Sequence, residues 1–396
     1  MSSNKQTYGW LPLLILTVAG FTFNTSELVP IGLLTDIAQS FDISEARAGL
    51  LITVYAWVVA VMSLPLMLAF AKVNFKRLMI GVVAVFFVSH IGTALSTSYY
   101  TLMASRIGVA LAHSLFWSIA PAMAVAVVSP QKRASALSAL VAGGGIAMVA
   151  GLPLGRILGL LAGWRMTFAA IAVLSLLILA GLYFKFPSLP QETDQGSRTT
   201  MVKRLWHCKP LLAIYLITAV IITGHYTGYS YIEPFMAQIA GLGEQTITFT
   251  LSLFGVAGLL GSYIMSKWFT KHSTLLMGIA CMLMPAAMIL LLPAVGIHPL
   301  TLIILCTGWG LAITMYNIAF QNDIVTLFPH DSAVPMSLYS GIFNLGIGSG
   351  ALVGGIVCDN NLMAEIGYIG GGIALSAAIF ALSVYMPMRR KTNRPQ

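Results

Sequence analysis

Apolar runs long enough to cross a lipid bilayer follow one another along almost the whole chain, separated by short polar turns. No water is available inside the hydrocarbon layer to satisfy a backbone N–H or C=O. Only helices and closed barrels can therefore cross it. A crossing helix takes about 20 apolar residues, whereas a crossing strand takes about 9–11. The runs here have helical length. They predict spans at 10–36, 46–71, 77–97, 99–128, 134–161, 165–186, 210–239, 246–269, 274–294, 299–327, 333–358 and 362–387. One long polar stretch, Pro187 to Pro210, divides them six plus six. The expected fold is all-α and integral to the membrane, with twelve transmembrane helices in two six-helix halves. The halves are residues 1–186 and 210–396, joined by a cytoplasmic linker at 187–209.

Charged residues make up 8% of the 396 residues and hydrophobic ones 58%. A soluble domain carries roughly 25% charged residues. This chain lacks the charge to coat a water-facing surface. A net charge of +9 raises the possibility of a nucleic-acid partner, but the placement of the basic residues favours the lipid bilayer instead. Of 21 Lys and Arg, 17 fall in alternate connectors, such as Lys72, Lys76 and Arg77, or Lys132 and Arg133. The opposite connectors hold Arg47, Arg156 and Arg165, and Arg106 falls inside a span. The positive-inside rule then places both termini and the linker in the cytoplasm. The first apolar run lacks a short core followed by small residues, so it reads as a retained span. Cys208, Cys281, Cys306 and Cys358 show no paired spacing and read as small apolar residues. No metal, cofactor or nucleophile–base motif is expected, and the chain does not read as an enzyme.

The halves resemble each other. Pro130 to Gly155 aligns without gaps on Pro329 to Gly354, matching Ala134 with Ala333, Ser138 with Ser337, Gly151 with Gly350 and Gly155 with Gly354. Glu27 and Pro30 in span 1 resemble Glu233 and Pro234 in span 7. Repeated halves of this kind carry their substrate site near the bilayer midplane. The glycines Gly151, Gly155 and Gly159 in span 5, and Gly346, Gly350 and Gly354 in span 11, form ridges that allow close helix packing.

A charge in mid-membrane costs at least about 2.5–3.5 kcal/mol, so the few that occur are candidates for function. Glu27 and Glu233 are the acids most clearly inside spans, whereas Asp36 and Asp323 read as helix-end residues. Asn24 and Glu27 share a face, and Pro30 frees a carbonyl and permits a kink. Burial favours a protonated carboxyl and a nearby cation favours the ionised form. A site open alternately to two aqueous sides can swing between these conditions. A proton carrier is therefore preferred over a protonated structural glutamate. Arg106, Ala110, His113 and Trp117 form one stripe on span 4. Arg106 needs a partner, for which Glu27 is the candidate and backbone carbonyls the alternative. His113 reads equally as a bundle histidine or as a relay or hydroxyl partner.

In span 7, His225, Tyr229 and Glu233 follow a spacing of four. An interfacial belt accounts for the rings, but a hydroxylated ligand accounts for the rings, amide and acid together. Tyr55, Asn317 and Asn344 are added as isolated polar groups in apolar spans.

Gly151-Leu152-Pro153-Leu154-Gly155-Arg156-Ile157-Leu158-Gly159, followed by Gly163-Trp164-Arg165, resembles the span 5 signature of the drug:proton antiporter branch of the major facilitator superfamily. Ser105-Arg106-Ile107-Gly108 resembles that family's span 4 motif, whose arginine is tied to proton coupling. Asn24-Thr25-Ser26-Glu27-Leu28-Val29-Pro30 and Tyr229-Ser230-Tyr231-Ile232-Glu233-Pro234 resemble bacterial sugar-efflux members, exporters of arabinose and related sugars. Two departures stand out. The loop after span 2 keeps only the basic pair Lys76-Arg77 of the family's signature, and Leu152 separates Gly151 from Pro153.

The resemblance implies proton-coupled efflux of small sugars such as L-arabinose across a bacterial inner membrane, by alternating access, from a functional monomer. Glu27 and Arg106 would couple protons. Asn24, Tyr55, His113, His225, Tyr229, Glu233, Asn317 and Asn344 would bind the sugar. A multidrug or nucleoside exporter and a non-transporting sugar sensor are the rival readings.

Overall fold

The computed structural model describes residues 10–70, 73–129, 132–188, 205, 207–328 and 333–392. Most of the expected linker at 187–209 lies outside these residues. So do Lys72, Pro130, Gln131 and Arg394. Among the described residues, twelve helices are long and apolar enough to cross a membrane. They are Trp10–Gly32, Glu45–Ser63, Phe75–Ala94, Tyr99–Ala126, Ser135–Ala162, Trp164–Lys185, Lys209–Tyr229, Glu244–Phe269, Lys271–Ile289, Pro299–Leu327, Val334–Asp359 and Met363–Arg390, numbered below as spans 1 to 12. Spans 8 and 9 run on as one helix with a break at His272 (φ −126°, ψ 33°).

Large apolar side chains such as Val88, Leu161 and Phe184 remain mostly exposed. A water-soluble surface would not tolerate that pattern across so many helices, whereas a lipid-facing one requires it. The protein is thus a multi-pass membrane protein.

Two further irregularities sit beside prolines. Span 5 contains a π-helical turn at Ala147–Gly151, where the Leu152 N–H reaches back to the Ala147 carbonyl. Pro153 follows it and supplies no N–H of its own, so the ladder shifts register there. A second π-turn, Phe235–Ile239, follows Pro234.

By packing, the chain divides into two compact units, Met1–Leu33 with Val61–Thr193, and Leu34–Ala60 with Asp194–Gln396. In the first, the glycine ridge of span 5 lies on span 1. Side chains on Gly151, Gly155 and Gly159 would strike Thr25, Val29 and Leu33, respectively. In the second, the ridge of span 11 lies on span 7, with Gly350 against Tyr226 and Thr227 and Gly354 against Thr227 and Tyr231.

Arg156, counted with the connector charges although the expected span 134–161 includes it, is a buried side chain within span 5. Its Nη1 donates to the carbonyl of Gly32, the last residue of the span 1 helix. A cation at a helix C-terminus meets the negative end of the helix dipole, and here it also satisfies a carbonyl beyond the reach of the helix ladder.

Candidate functional site

Two polar clusters stand out, one in each unit. The first is built on spans 1, 3 and 4. Glu27 Oε2 lies 3.7 Å from His113 Nε2, with the His113 side chain 5% and that of Glu27 18% exposed. Arg106, 2% exposed, donates from Nη1 to Ser26 Oγ at 3.2 Å. Ser26 Oγ is also 2.8 Å from His90 Nε2, and His90 Nδ1 is 2.8 Å from the Phe86 carbonyl.

A carbonyl only accepts, so Nδ1 carries the proton and Nε2 of the neutral ring accepts from the Ser26 hydroxyl. A doubly protonated His90 would set a second positive charge beside Arg106 in a low-dielectric interior. Phe23 stacks between Phe86 (3.8 Å between centroids) and Phe116 (4.2 Å) and flanks the polar layer with a wall of rings. Asn24 lies against Gly144 of span 5.

The second cluster is aromatic. Tyr229 stacks against His225 (5.1 Å) and Phe254 (4.7 Å). Trp309 sets its edge toward all three, and its indole Nε1 donates to His225 Nδ1 at 2.8 Å. An indole N–H is a donor only, so His225 accepts there and carries its hydrogen on Nε2.

Sequence spacing had put Glu233 on the same helix face. Instead, the span 7 helix ends at Tyr229 and restarts at Ile232, with Tyr231 out of helical geometry (φ −119°, ψ 16°). Glu233 Oε2 accepts from the Thr35 hydroxyl at 2.8 Å and its amide at 3.4 Å. Nearby chemistry repeats the theme, since Gln238 Nε2 donates to Glu45 at 2.8 Å and Ser44 donates to Asp359 at 3.1 Å.

The remaining candidates scatter within the second unit. Asn317 Oδ1 accepts from Tyr339 and Gln321, each at 2.8 Å. Asn344 donates to the Ser340 carbonyl, and its Oδ1 is buried with no hydrogen-bond partner among the described residues. Tyr55 is buried on span 2.

Sequence reasoning overlooked His90, Ser26, Phe254 and Trp309. His90 was detectable as an isolated polar residue in an apolar span, the criterion that selected Tyr55. It also set Asp323 aside. Asp323 is buried and takes a two-pronged ion pair from Arg389 (2.6 and 2.9 Å) and a hydrogen bond from Tyr385 (2.6 Å).

Comparison with known proteins agrees with this architecture. The structure is similar to a D-xylose-proton symporter (15% identity, 94% of this chain and 97% of that one, TM-score 0.77). It is similar to a peptide transporter POT (13%, 96% and 95%, 0.79). It is also similar to a bacterial homologue of the human lysosomal transporter Spinster in an inward-facing, unoccupied conformation (18%, 95% and 94%, 0.72). At these identities the likeness establishes the fold. A sequence model of the Major Facilitator Superfamily matches residues 13–334. With twelve spans, paired glycine ridges and a match over most of its length, this chain belongs to the Major Facilitator Superfamily of membrane transporters.

Proposed function

We propose that the protein exports small sugars such as L-arabinose in exchange for protons, by alternating access, across a bacterial inner membrane. In this reading both termini are cytoplasmic, the halves 1–186 and 210–396 move as a functional monomer, and the chain falls in the drug:proton antiporter branch. The observation that carries it is Glu27 against His113 inside a membrane-crossing bundle, with Arg106 fixed one residue away at Ser26. An ionisable pair at such a place is retained for a task. A carboxylate still partly accessible, beside a neutral-capable ring and a permanent cation, can take up and give back a proton as its surroundings change.

The sugar assignment is supported by the resemblance of the span 1 and span 7 motifs to sugar exporters. The polar edges around His225, Asn317 and Asn344 add to it. The rings of Tyr229, His225 and Phe254 engage one another, so the ligand is read by these polar edges more than by a bare ring face. Glu233 bonds Thr35, and its carboxylate is assigned to that contact more than to the sugar.

The test is movement of labelled L-arabinose in proteoliposomes under an imposed proton gradient. Wild type is expected to drive sugar against its own gradient. Glu27→Gln is expected to lose gradient-driven movement by at least about tenfold, because an amide cannot carry the proton. Unchanged pH dependence in Glu27→Gln would rule out the carrier role. Movement of a hydrophobic dye but no sugar would give the multidrug reading precedence, and movement of a nucleoside alone would favour a nucleoside exporter.

A further inference from the structure

We infer that His90 is a positioning residue for the proton site, acting on Arg106 through Ser26. The inference rests on the reading of Glu27 as the proton carrier. Three observations carry it.

First, the direction of the hydrogen bonds is fixed from one end. The Phe86 carbonyl holds the His90 Nδ1–H (2.8 Å), which leaves the Nε2 lone pair facing Ser26. Ser26 must then spend its only hydrogen on His90. Its oxygen lone pairs are left for Arg106 Nη1. Second, every member is enclosed. His90 and Ser26 are 0% exposed and Arg106 2%, so no solvent substitutes for a lost partner, and an unmatched group there is expensive. Third, the ring is flanked by other rings. It packs on Phe86 (4.2 Å) and beside Phe168 (6.2 Å), and Arg106 lies over the same Phe168 ring (5.7 Å).

The groups that face this chain of bonds come from four spans. They are Ser26 and Glu27 on span 1, His90 itself on span 3, Arg106 and His113 on span 4, and Phe168 on span 6. Span 5 contributes Arg156, but directs it to Gly32. Ser26 immediately precedes Glu27 on the helix, so the hydroxyl that receives Arg106 also sets how the guanidinium lies relative to that carboxylate. His90 does not exchange protons with the site in this arrangement. It determines which way the Ser26 hydroxyl points, and thereby where the positive charge sits.

The experiment reads Glu27 directly and needs no knowledge of the cargo. A hydrophobic carbodiimide modifies a carboxyl only when it is protonated. Modification of Glu27 in the purified full chain is followed by mass spectrometry between about pH 5 and 9, the range over which perturbed carboxyls titrate. Wild type, Ser26→Ala, His90→Ala, their double variant and His90→Gln are compared, with Glu27→Gln to confirm the labelled site.

Ser26→Ala and His90→Ala are each expected to move the half-labelling pH by about half a unit or more, in the same direction. The double variant should move it no further, since both changes cut one chain of bonds. His90→Gln is expected to stay close to wild type, because its side-chain oxygen can accept from Ser26. A purely structural His90 would alter yield or melting without moving the profile. Superimposable profiles in all variants overturn the positioning role while leaving Glu27 as a titrating group. A wild-type Glu27 that reacts at no pH overturns the carrier reading, and the positioning role with it.

Discussion

Arg389→Ala is expected to destabilise the protein by about 3 kcal/mol, the low end of the range for breaking a buried ion pair. Arg389 grips both oxygens of Asp323 and sends Nη1 to Ser273 Oγ at 3.0 Å. One guanidinium thereby joins span 12, span 10 and the start of span 9. Removing it leaves a carboxylate on a side chain 6% exposed with, among the described residues, only the Tyr385 hydroxyl in support. The converse change, Asp323→Ala, should cost less. Arg389 lies at the end of span 12 and can extend toward the interface, which a short buried aspartate cannot do. Replacing both by leucine should recover most of the loss, since an apolar pair of similar volume needs no desolvation. Thermal melting of the four proteins in one detergent measures this. Equal melting of Arg389→Ala and wild type would show the pair to be energetically idle.

Gly350→Ala is expected to be at least as damaging to the fold, although it adds a single methyl group. The new carbon would meet the carbonyl oxygen of Thr223, the amide nitrogen of Thr227 at 2.9 Å and Tyr226 Cβ at 2.8 Å. Two of these are backbone atoms of span 7 and cannot rotate away, so the helices must separate. Overpacking costs about 1–3 kcal/mol in ordinary cores, occasionally more, and the absence of yielding atoms puts this site at the upper end. Gly145→Ala supplies the contrast. Nothing lies within 4 Å of its added carbon, and alanine favours helix by up to about 1 kcal/mol over glycine, so it should be neutral or stabilising. Monodispersity and melting temperature after extraction decide the comparison. Equal behaviour of the two variants would mean that spans 7 and 11 are not packed as described.

Which parts of this could be read from the sequence follows from the range of the interactions involved. The twelve spans were legible because bilayer thickness acts on each run of about 20 residues independently. The glycine ridges were legible for a similar reason, since a four-residue spacing is a local signal. Glu27, Arg106 and His113 announced themselves by being ionisable in apolar surroundings. What they touch did not. Glu233 and Thr35 lie 198 positions apart, and no periodicity links them. The stripe drawn through His225, Tyr229 and Glu233 assumed an unbroken helix, but the chain departs from helical geometry at Tyr231. Asp323 was discounted for lying near a helix end. Its partner also lies near one, and packing brings the two ends together. Arg156 was counted as a connector charge although the expected span included it; its partner, the Gly32 carbonyl, lies on another helix and left no local signal.

The close approach of paired helices also bears on how the gene can change. A glycine codon altered at one base encodes alanine, valine, serine, cysteine, arginine, aspartate, glutamate or tryptophan, and each of these carries a β-carbon. At Gly143, Gly310 and Gly350, where that carbon would run into a neighbouring helix backbone, every single-base missense change is therefore a packing defect, and no mild allele exists. At Gly145 and Gly372, where the space is open, the small replacements among them should pass unnoticed. A saturation scan of this one residue type would thus separate into two populations, and the boundary between them would trace the lines along which the helices touch.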